Sequence, residues 1–320
     1  MKKMKIKLSI VIPVYNGANT IGDLVSELTR ELAAYRTEIV LVNDGSKDDS
    51  ESVCRAIALR NHNVVFISLR KNFGEHNAVI CGLGRATGDY AIIIDDDFQN
   101  PPDQIHKLIG EIRKGYDVVY AQYVKKAQGW HRNLGSWLND RVATFLLNKP
   151  RDLYLCSFKI IAKNVVREIV KYAGPFPYID GLLLRVTDNI GTVLVDHQHR
   201  VQGKSNYTFK KLISLFLNMF FNFSIQPLRF FTFSGFIIFI VGVFLTVLFV
   251  IEKLIDPTVS AGWTSIALLI LVCSGFQIVF LGLMGEYLGK LYLDQNGMPQ
   301  SVIKSIFARG KEIPDDRSQD

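Results

Sequence analysis

The stretch IIIDDDFQNPP, Ile92 to Pro102, decides how this chain is read. Three β-branched apolar residues run straight into three adjacent carboxylates, and two prolines close the stretch. An isoleucine triplet suits a strand buried on both faces. Like charges side by side repel, and a turn or helix cap before Pro101 and Pro102 needs only one Asp. The cluster therefore points to a cation, or to a polyanion held through one. Alternate residues of an extended chain share a side, which puts Asp95, Asp97 and Gln99 together. Their oxygens are hard ligands suited to Mg²⁺ or Mn²⁺.

Working outward, residues 8 to about 123 alternate strand-like and helix-like segments. Leu8–Val14, Glu38–Val42, Val64–Leu69, Tyr90–Ile94 and Val118–Tyr123 read as strands. Ile21–Leu32, a segment to about Arg60 capped by Ser46 or Asp48, Glu75–Ala86 and Pro102–Lys114 read as helices. Apolar strands alternating with amphipathic helices imply an α/β fold, a Rossmann-like and mostly parallel sheet with helices on both faces. Ligands gather at the carboxyl ends of such strands. Asp44, in VNDGSKDDS, and Asp95–Asp97 both stand there, so the sequence places them on one rim. Asn43-Asp44-Gly45-Ser46 also reads as a plain tight turn; as a site, Asp44 would accept hydrogen bonds from a nucleobase or ribose.

The 320 residues carry a formal charge of +7 and are 48% hydrophobic. That balance suits an anionic partner, but the basic residues are dispersed, which counts against nucleic acid. Four separated cysteines with no CxxC pair argue against disulfide or zinc frameworks and for a reducing environment. The opening MKKMKIKLSIVIPVY is basic then apolar, like a signal peptide, but Pro13 interrupts a short run, and it reads as the first buried strand. His197 and His199 form an HxH with no third ligand nearby, His76 and His131 read as ordinary polar residues, and CGLGRATG lacks the Lys-Ser/Thr of a phosphate loop and reads as a helix end.

The apolar excess lies in the last third. YTFKKLISLFLNMFFNF, Tyr207 to Phe223, has apolar residues at helical spacing and reads as a helix lying on a bilayer. Phe230–Ile251 is uncharged for about 22 residues, about 33 Å of helix against a hydrocarbon core of about 30 Å. Trp263–Gly285 is a second uncharged run. The connector Glu252–Gly262 is slightly acidic, whereas the flanks carry Lys210, Lys211, Arg229, Lys290, Lys304, Arg309 and Lys311. Positive charge stays inside, so both termini are expected in the cytoplasm. The expected organisation is a catalytic domain over 1–206, an interfacial amphipathic helix over 207–226, a two-helix transmembrane hairpin over 227–290 and a cytoplasmic tail over 291–320. The expected location is the inner (plasma) membrane, with self-association through the membrane helices.

IVIPVYNG, VNDGSKDDS and DDDFQNPP, in that order and spacing, resemble the family 2 glycosyltransferases of GT-A fold. GKSNY, followed by an amphipathic helix and two apolar runs, resembles their polyprenyl-phosphate branch. The resemblance covers about residues 8 to 290. It implies an inverting transfer of sugar from a UDP- or GDP-linked nucleotide sugar to polyprenyl phosphate at the cytoplasmic face. It further implies that Pro13, Tyr15, Asp44 and Asp96 line the nucleotide pocket, and that Asp95, Asp97 and Gln99 surround a divalent metal. Arg200 would help hold phosphate, and Asp152, in RDLYLCSFK, would stand near the acceptor as a third catalytic acid beside Asp95 and Asp97. Two departures are visible: Asn43 replaces the commoner first Asp of DDGS, and RDLYLCSFK matches the GDxxxRL-like pattern loosely.

A polyprenyl phosphate would be an anionic nucleophile at neutral pH, with a second pKa of about 6. Its need is positive charge rather than a strong base. Lys125, Lys126 and Arg132, in KKAQGWHR, would supply it, or form a solvated basic loop. Arg200, Lys204, Ser205 and Tyr207 stand just before the interfacial helix, where a membrane-bound phosphate would arrive. A polysaccharide synthase is the first alternative, but no QxxRW motif occurs. A silent nucleotide-sugar binder is the second, and the intact acidic cluster argues against it.

Overall fold

The computed structural model of the chain describes residues 6–123, 150, 153–174, 176–196, 198, 262–297 and 299–315, with isolated positions between 233 and 255. It divides into two compact units. One combines Met1–Thr208 with Gly297–Asp320, and the other is Phe209–Asn296.

The first unit is an α/β body around one mixed sheet. In chain order its elements are β1 (Lys7–Val14), α1 (Ile21–Glu31), β2 (Arg36–Asn43), α2 (Ser50–Arg60), β3 (Val64–Leu69), α3 (Glu75–Leu83) and β4 (Tyr90–Ile93). After a 3-10 turn at Pro102–Gln104 come α4 (Ile105–Ile112), β5 (Val118–Tyr123), β6 (Lys159–Ala162), α5 (Lys163–Ile169), α6 (Ile179–Val186) and β7 (Ile190–Val195). Two strands from the far end of the chain complete the sheet: β8 (Ile303–Ala308) and β9 (Lys311–Ile313). The strand order is β7-β5-β6-β4-β1-β2-β3-β8-β9.

The expected parallel arrangement holds for β4-β1-β2-β3 and for β5-β7. It fails at β6, which runs antiparallel to β4 and β5, and at β8, antiparallel to β3 and to β9. The sheet is therefore mixed. The physical reason is visible in the centre, where the expectation was formed. Leu8, Ile10, Val11 and Ile12 are all fully buried, and successive residues of a strand face opposite ways, so both faces of β1 are covered. That pattern requires covering helices, and it says nothing about the direction of strands added at the edges. Truncating Ile10 or Ile12 to Ala would cost about 2–5 kcal/mol.

The helices follow their apolar spacing. Ile21, Leu24, Val25 and Leu28 form the buried stripe of α1, and Ile105, Leu108, Ile109 and Ile112 that of α4. Two details differ from expectation. Asp49 occupies the N-cap of α2 with no side-chain cap bond; Asp48, one of the two expected caps, does accept the N–H of Ser50, the first residue of α2 (3.1 Å), whereas Ser46 accepts from Asn16 N. The segment expected to stay helical to Ala86 ends as α-helix at Leu83, with Gly84 as its cap.

The strand order also locates the crevice. From β1 the chain steps to β2 and β3, then crosses back to place β4 on the other side of β1. The carboxyl ends of β1 and β4 thus flank a topological switch point, where ligands of open α/β sheets bind.

The C-terminal strands are an unexpected part of this sheet. Residues 303–313 lie within the segment read as a tail, yet β8 pairs with β3 from Val65↔Ala308 to Leu69↔Ile303. Side chains fix the return: Lys304 pairs with Glu51, Arg55 stacks over the Phe307 ring, and Gln300 donates to the carbonyls of Tyr172 and Gly174.

The second unit contains the long helix α7 (Trp263–Gln295). Phe233, Phe236, Phe244, Ile266, Leu269, Ile278 and Leu281 are all exposed. Among the described residues, no helix is long and apolar enough to cross a membrane. Several side chains of α7 fall outside those residues, as does most of 230–251 and all of the expected interfacial helix over 207–226.

Candidate active site

Three loops meet at the rim. The loop after β1 begins at Tyr15, which is 40% exposed, and turns at Asn16, whose φ of 56° is left-handed. The loop after β2 receives it. Asn16 N donates to Ser46 Oγ (3.0 Å), Gly17 N to Ser50 Oγ (2.9 Å) and Ala18 N to Asp48 Oδ2 (3.1 Å), while Lys47 N donates to Asn16 Oδ1 (2.8 Å). The polar richness of NGAN and NDGSKDDS is thus used to stitch two loops together.

Asp44 is buried, and both carboxylate oxygens are engaged. They accept the backbone N–H groups of Phe73 (2.7 Å) and Gly74 (2.9 Å), just before α3. Burial nonetheless holds its pKa above the ordinary carboxylate range. Asp44 therefore anchors the β3–α3 loop to the rim, and a nucleotide would meet only its remaining lone pairs. Gly45 follows at φ +61°, where a Cβ would come within 2.5 Å of the Asn72 backbone nitrogen; a side chain does not fit. Asn43, the departure from the commoner acid, is buried. Its side chain accepts from Ser46 N (3.3 Å) and donates to Ser68 Oγ (3.5 Å). An acid there could keep the second contact only by accepting from the Ser68 hydroxyl.

The third loop carries the acidic cluster. The Asp95 carboxyl accepts a 2.6 Å hydrogen bond from Ser157 Oγ. Its pKa is pushed up to about 7 by burial first, then by Glu75 and Asp97, against the Ser157 hydrogen bond and Lys159. Asp97 Oδ1 accepts Gln99 N (3.1 Å), and the residue between them, Phe98, has a φ of 58°. Asp96 points to the β1 side, toward Gly17. Gln99 offers its carbonyl to Gln198 N (3.0 Å).

Among the described residues, no group of three or more His, Cys, Asp or Glu is arranged to hold a metal ion. The donor chemistry still fits one. Burial first, and then the like charges of Glu75 and Asp97, keep Asp95 from ionising readily. A hard divalent cation would offset both effects and would leave coordination positions open.

Beneath Asp95 lies a buried polar network. Lys159 of β6 forms an ion pair with Asp180 of α6, and Tyr120 donates to the same carboxylate at 2.9 Å. Lys159 also lies over the Tyr120 ring, 4.8 Å from its centroid. His76 packs edge-on against Tyr178, with ring centroids 5.2 Å apart.

The structure thus brings Pro13, Tyr15, Asp44, Asp95, Asp96, Asp97 and Gln99 to one rim. Asp152, Lys125, Arg132, Arg200, Lys204, Ser205 and Tyr207 lie outside the described residues, as do Lys126, His131, His197 and His199. Sequence reasoning missed Glu75, Asn100, Tyr123, Ser157, Lys159 and Asp180. One signal was available: Lys159 sits among Phe158, Ile160 and Ile161, and a lysine in an apolar strand needs a buried partner.

A family model described as glycosyl transferase family 2 matches residues 9–169. An undecaprenyl-phosphate 4-deoxy-4-formamido-L-arabinose transferase of Enterobacter sp. (strain 638) is 31% identical over 309 residues, 95% of this chain and 94% of that protein. A protein of the same name from Proteus mirabilis (strain HI4320) is 29% identical over 305 residues, 94% of each chain. Among solved structures, glucosyl-3-phosphoglycerate synthase from Mycobacterium tuberculosis, in complex with Mn²⁺ and UDP-glucose, aligns with a TM-score of 0.48 and 19% identity, over 66% of this chain and 76% of that one.

Proposed function

We propose that this chain, which belongs to glycosyl transferase family 2 and is a glycosyltransferase, moves a sugar from a nucleotide sugar to an undecaprenyl-type polyprenyl phosphate at the cytoplasmic face of a membrane. The observation that carries the reading is the reach of the likeness. Relatives named for undecaprenyl-phosphate sugar transfer match along 95% and 94% of the chain, hence through the apolar unit as well as the sheet.

The path of the chain supports the membrane part. Residues before and after Phe209–Asn296 fold into one body, so the chain leaves that body and returns to it. A membrane crossed by this unit is then crossed an even number of times. The uncharged runs Phe230–Ile251 and Trp263–Gly285 are each of spanning length, which gives a hairpin with both flanks in the cytoplasm of the inner membrane.

Asp95 and Asp97, with Gln99, would hold Mg²⁺ or Mn²⁺. Such an ion would supply positive charge to the diphosphate as it leaves. Asp44 and its hydrogen-bonded loop shape the nucleotide pocket, and Tyr15 offers an exposed ring for stacking against a base. The incoming lipid phosphate is already an anion near neutral pH, so Lys125, Arg132, Arg200, Lys204, Ser205 and Tyr207 are assigned to hold it, and Asp152 to the acceptor side. Attack by a phosphate oxygen on the anomeric carbon forms one C–O bond as the bond to the diphosphate breaks. This single displacement inverts the anomeric centre.

A panel of labelled UDP-, GDP- and dTDP-sugars, including a UDP-linked 4-deoxy-4-formamido-L-arabinose, tests the reading with the purified chain and undecaprenyl phosphate. One donor should move its label into the organic phase. A chain that binds a donor yet labels no lipid with any of them would contradict the proposal.

A further inference from the structure

The turn Asp95–Asn100 is gripped at both ends by residues that no motif identified. At its start, Ser157 Oγ donates to Asp95 Oδ2 at 2.6 Å. At its end, the buried Asn100 accepts from the Tyr123 hydroxyl at 2.7 Å. The two grips are themselves linked, because the Tyr123 oxygen lies 2.9 Å from Cys156 Sγ, the neighbour of Ser157. Tyr123 ends β5, and Cys156 and Ser157 lead into β6, the strand paired with β4 and β5.

The turn between the grips has reason to need them. Phe98 sits at φ 58°, a conformation that costs a bulky side chain energy and persists only when the surroundings hold it. Asp95 is enclosed beside Glu75 and Asp97, and repulsion alone would swing its carboxylate outward. A donor just ahead of β6 counters that swing.

We propose that Ser157 and Tyr123 are positioning residues for the acidic turn. Ser157 fixes the Asp95 carboxylate, and Tyr123, through Asn100, fixes the end of the turn beyond Phe98. The constellation is then formed before the cation and donor arrive, which lowers the ordering cost of binding them. This rests on the reading of Asp95 and Asp97 as cation-holding carboxylates.

The test uses the full chain with Ser157→Ala, Ser157→Thr and Tyr123→Phe. Hydrogen exchange is measured without metal on peptides spanning Asp95–Asn100, and Mn²⁺ affinity is measured by electron paramagnetic resonance with UDP present. Ser157→Ala and Tyr123→Phe should speed exchange in the turn while distant peptides stay unchanged. Ser157→Ala should weaken Mn²⁺ about 10-fold, in line with a lost hydrogen bond to a charged group, and Ser157→Thr should restore it to within about 2-fold. The nucleotide-sugar KM should rise more than kcat falls. Unchanged exchange in both variants overturns the clamp. Faster exchange with parental Mn²⁺ affinity overturns its positioning role. A parent chain that binds no Mn²⁺ overturns the cation reading instead, and exchange alone then decides whether the turn is clamped.

Discussion

Gly17 leaves the space that the Asp96 carboxylate fills: a Cβ on Gly17 would lie 2.0 Å from Asp96 Oδ2 and 2.9 Å from Cγ. The two residues follow β1 and β4, the strands that flank the switch point of the sheet. The missing side chain therefore sets how closely the loop after β1 and the acidic turn approach. Gly17→Ala should displace Asp96 while leaving the body folded, with transfer reduced at least ~10-fold, a loss typical of a small misplacement at a reacting site. Parental kinetics in this variant would show that the contact is packing alone.

Asp97→Asn keeps the size of the side chain and removes one anionic ligand. Transfer should fall by about 10²-fold or more, the scale for losing a preorganised electrostatic group, with an unchanged circular dichroism spectrum. EDTA should silence the parent and added Mn²⁺ or Mg²⁺ should restore it. Full turnover in EDTA would remove the cation from the account.

His76 gives a pH signature of stability. Burial is the main cause that lowers its pKa from 6.5 to about 4; Asp180 opposes the shift, and Lys159 reinforces it. Tyr178 packs against its ring. The unfolded chain thus binds more protons than the folded one between about pH 6.5 and 4, so stability falls as the pH drops through that window. The loss is on the order of 2 kcal/mol, since His76 keeps partial contact with water. Thermal melts of the parent and His76→Gln should differ in slope across the window, the variant being flatter. Parallel curves would place the histidine in solvent.

What the sequence disclosed depended on how local the physics was. Strands β1 to β5 were visible because runs such as Ile10–Val14 and Ile92–Ile94 are continuously apolar, and such runs report burial on both faces. Asp44 and Asp95–Asp97 were placed on one rim by strand direction alone. The C-terminal strands were not visible, because IKSIFA alternates only in part and its partner β3 is more than 200 residues away. Ser157 gave no signal for the same reason: its meaning comes from Asp95, 62 residues earlier in the chain. Asp44 was seen as a ligand-facing acid, and the N–H groups of Phe73 and Gly74 that engage it could not be inferred from its own motif.

The return of the chain to its own sheet constrains its topology. With Cys54, Cys81, Cys156 and Cys273 replaced, a Cys introduced at Ser260 should react with a membrane-impermeant thiol reagent in intact cells. One introduced at Ser318 should react only after permeabilisation. The basic flanks and the slightly acidic connector favour this orientation. Labelling at Ser318 in intact cells, or at Ser260 only after permeabilisation, would contradict this orientation.

Sugar transfer to a lipid phosphate is tested most directly by changing only the acceptor. The purified chain, given its labelled nucleotide sugar and a divalent cation, is offered undecaprenyl phosphate, undecaprenol or detergent alone, and the label in the organic phase is counted. The account predicts label only with undecaprenyl phosphate, in a product whose anomeric configuration is inverted from that of the donor. Equal labelling of undecaprenol, or release of free sugar with no lipid product, would contradict it.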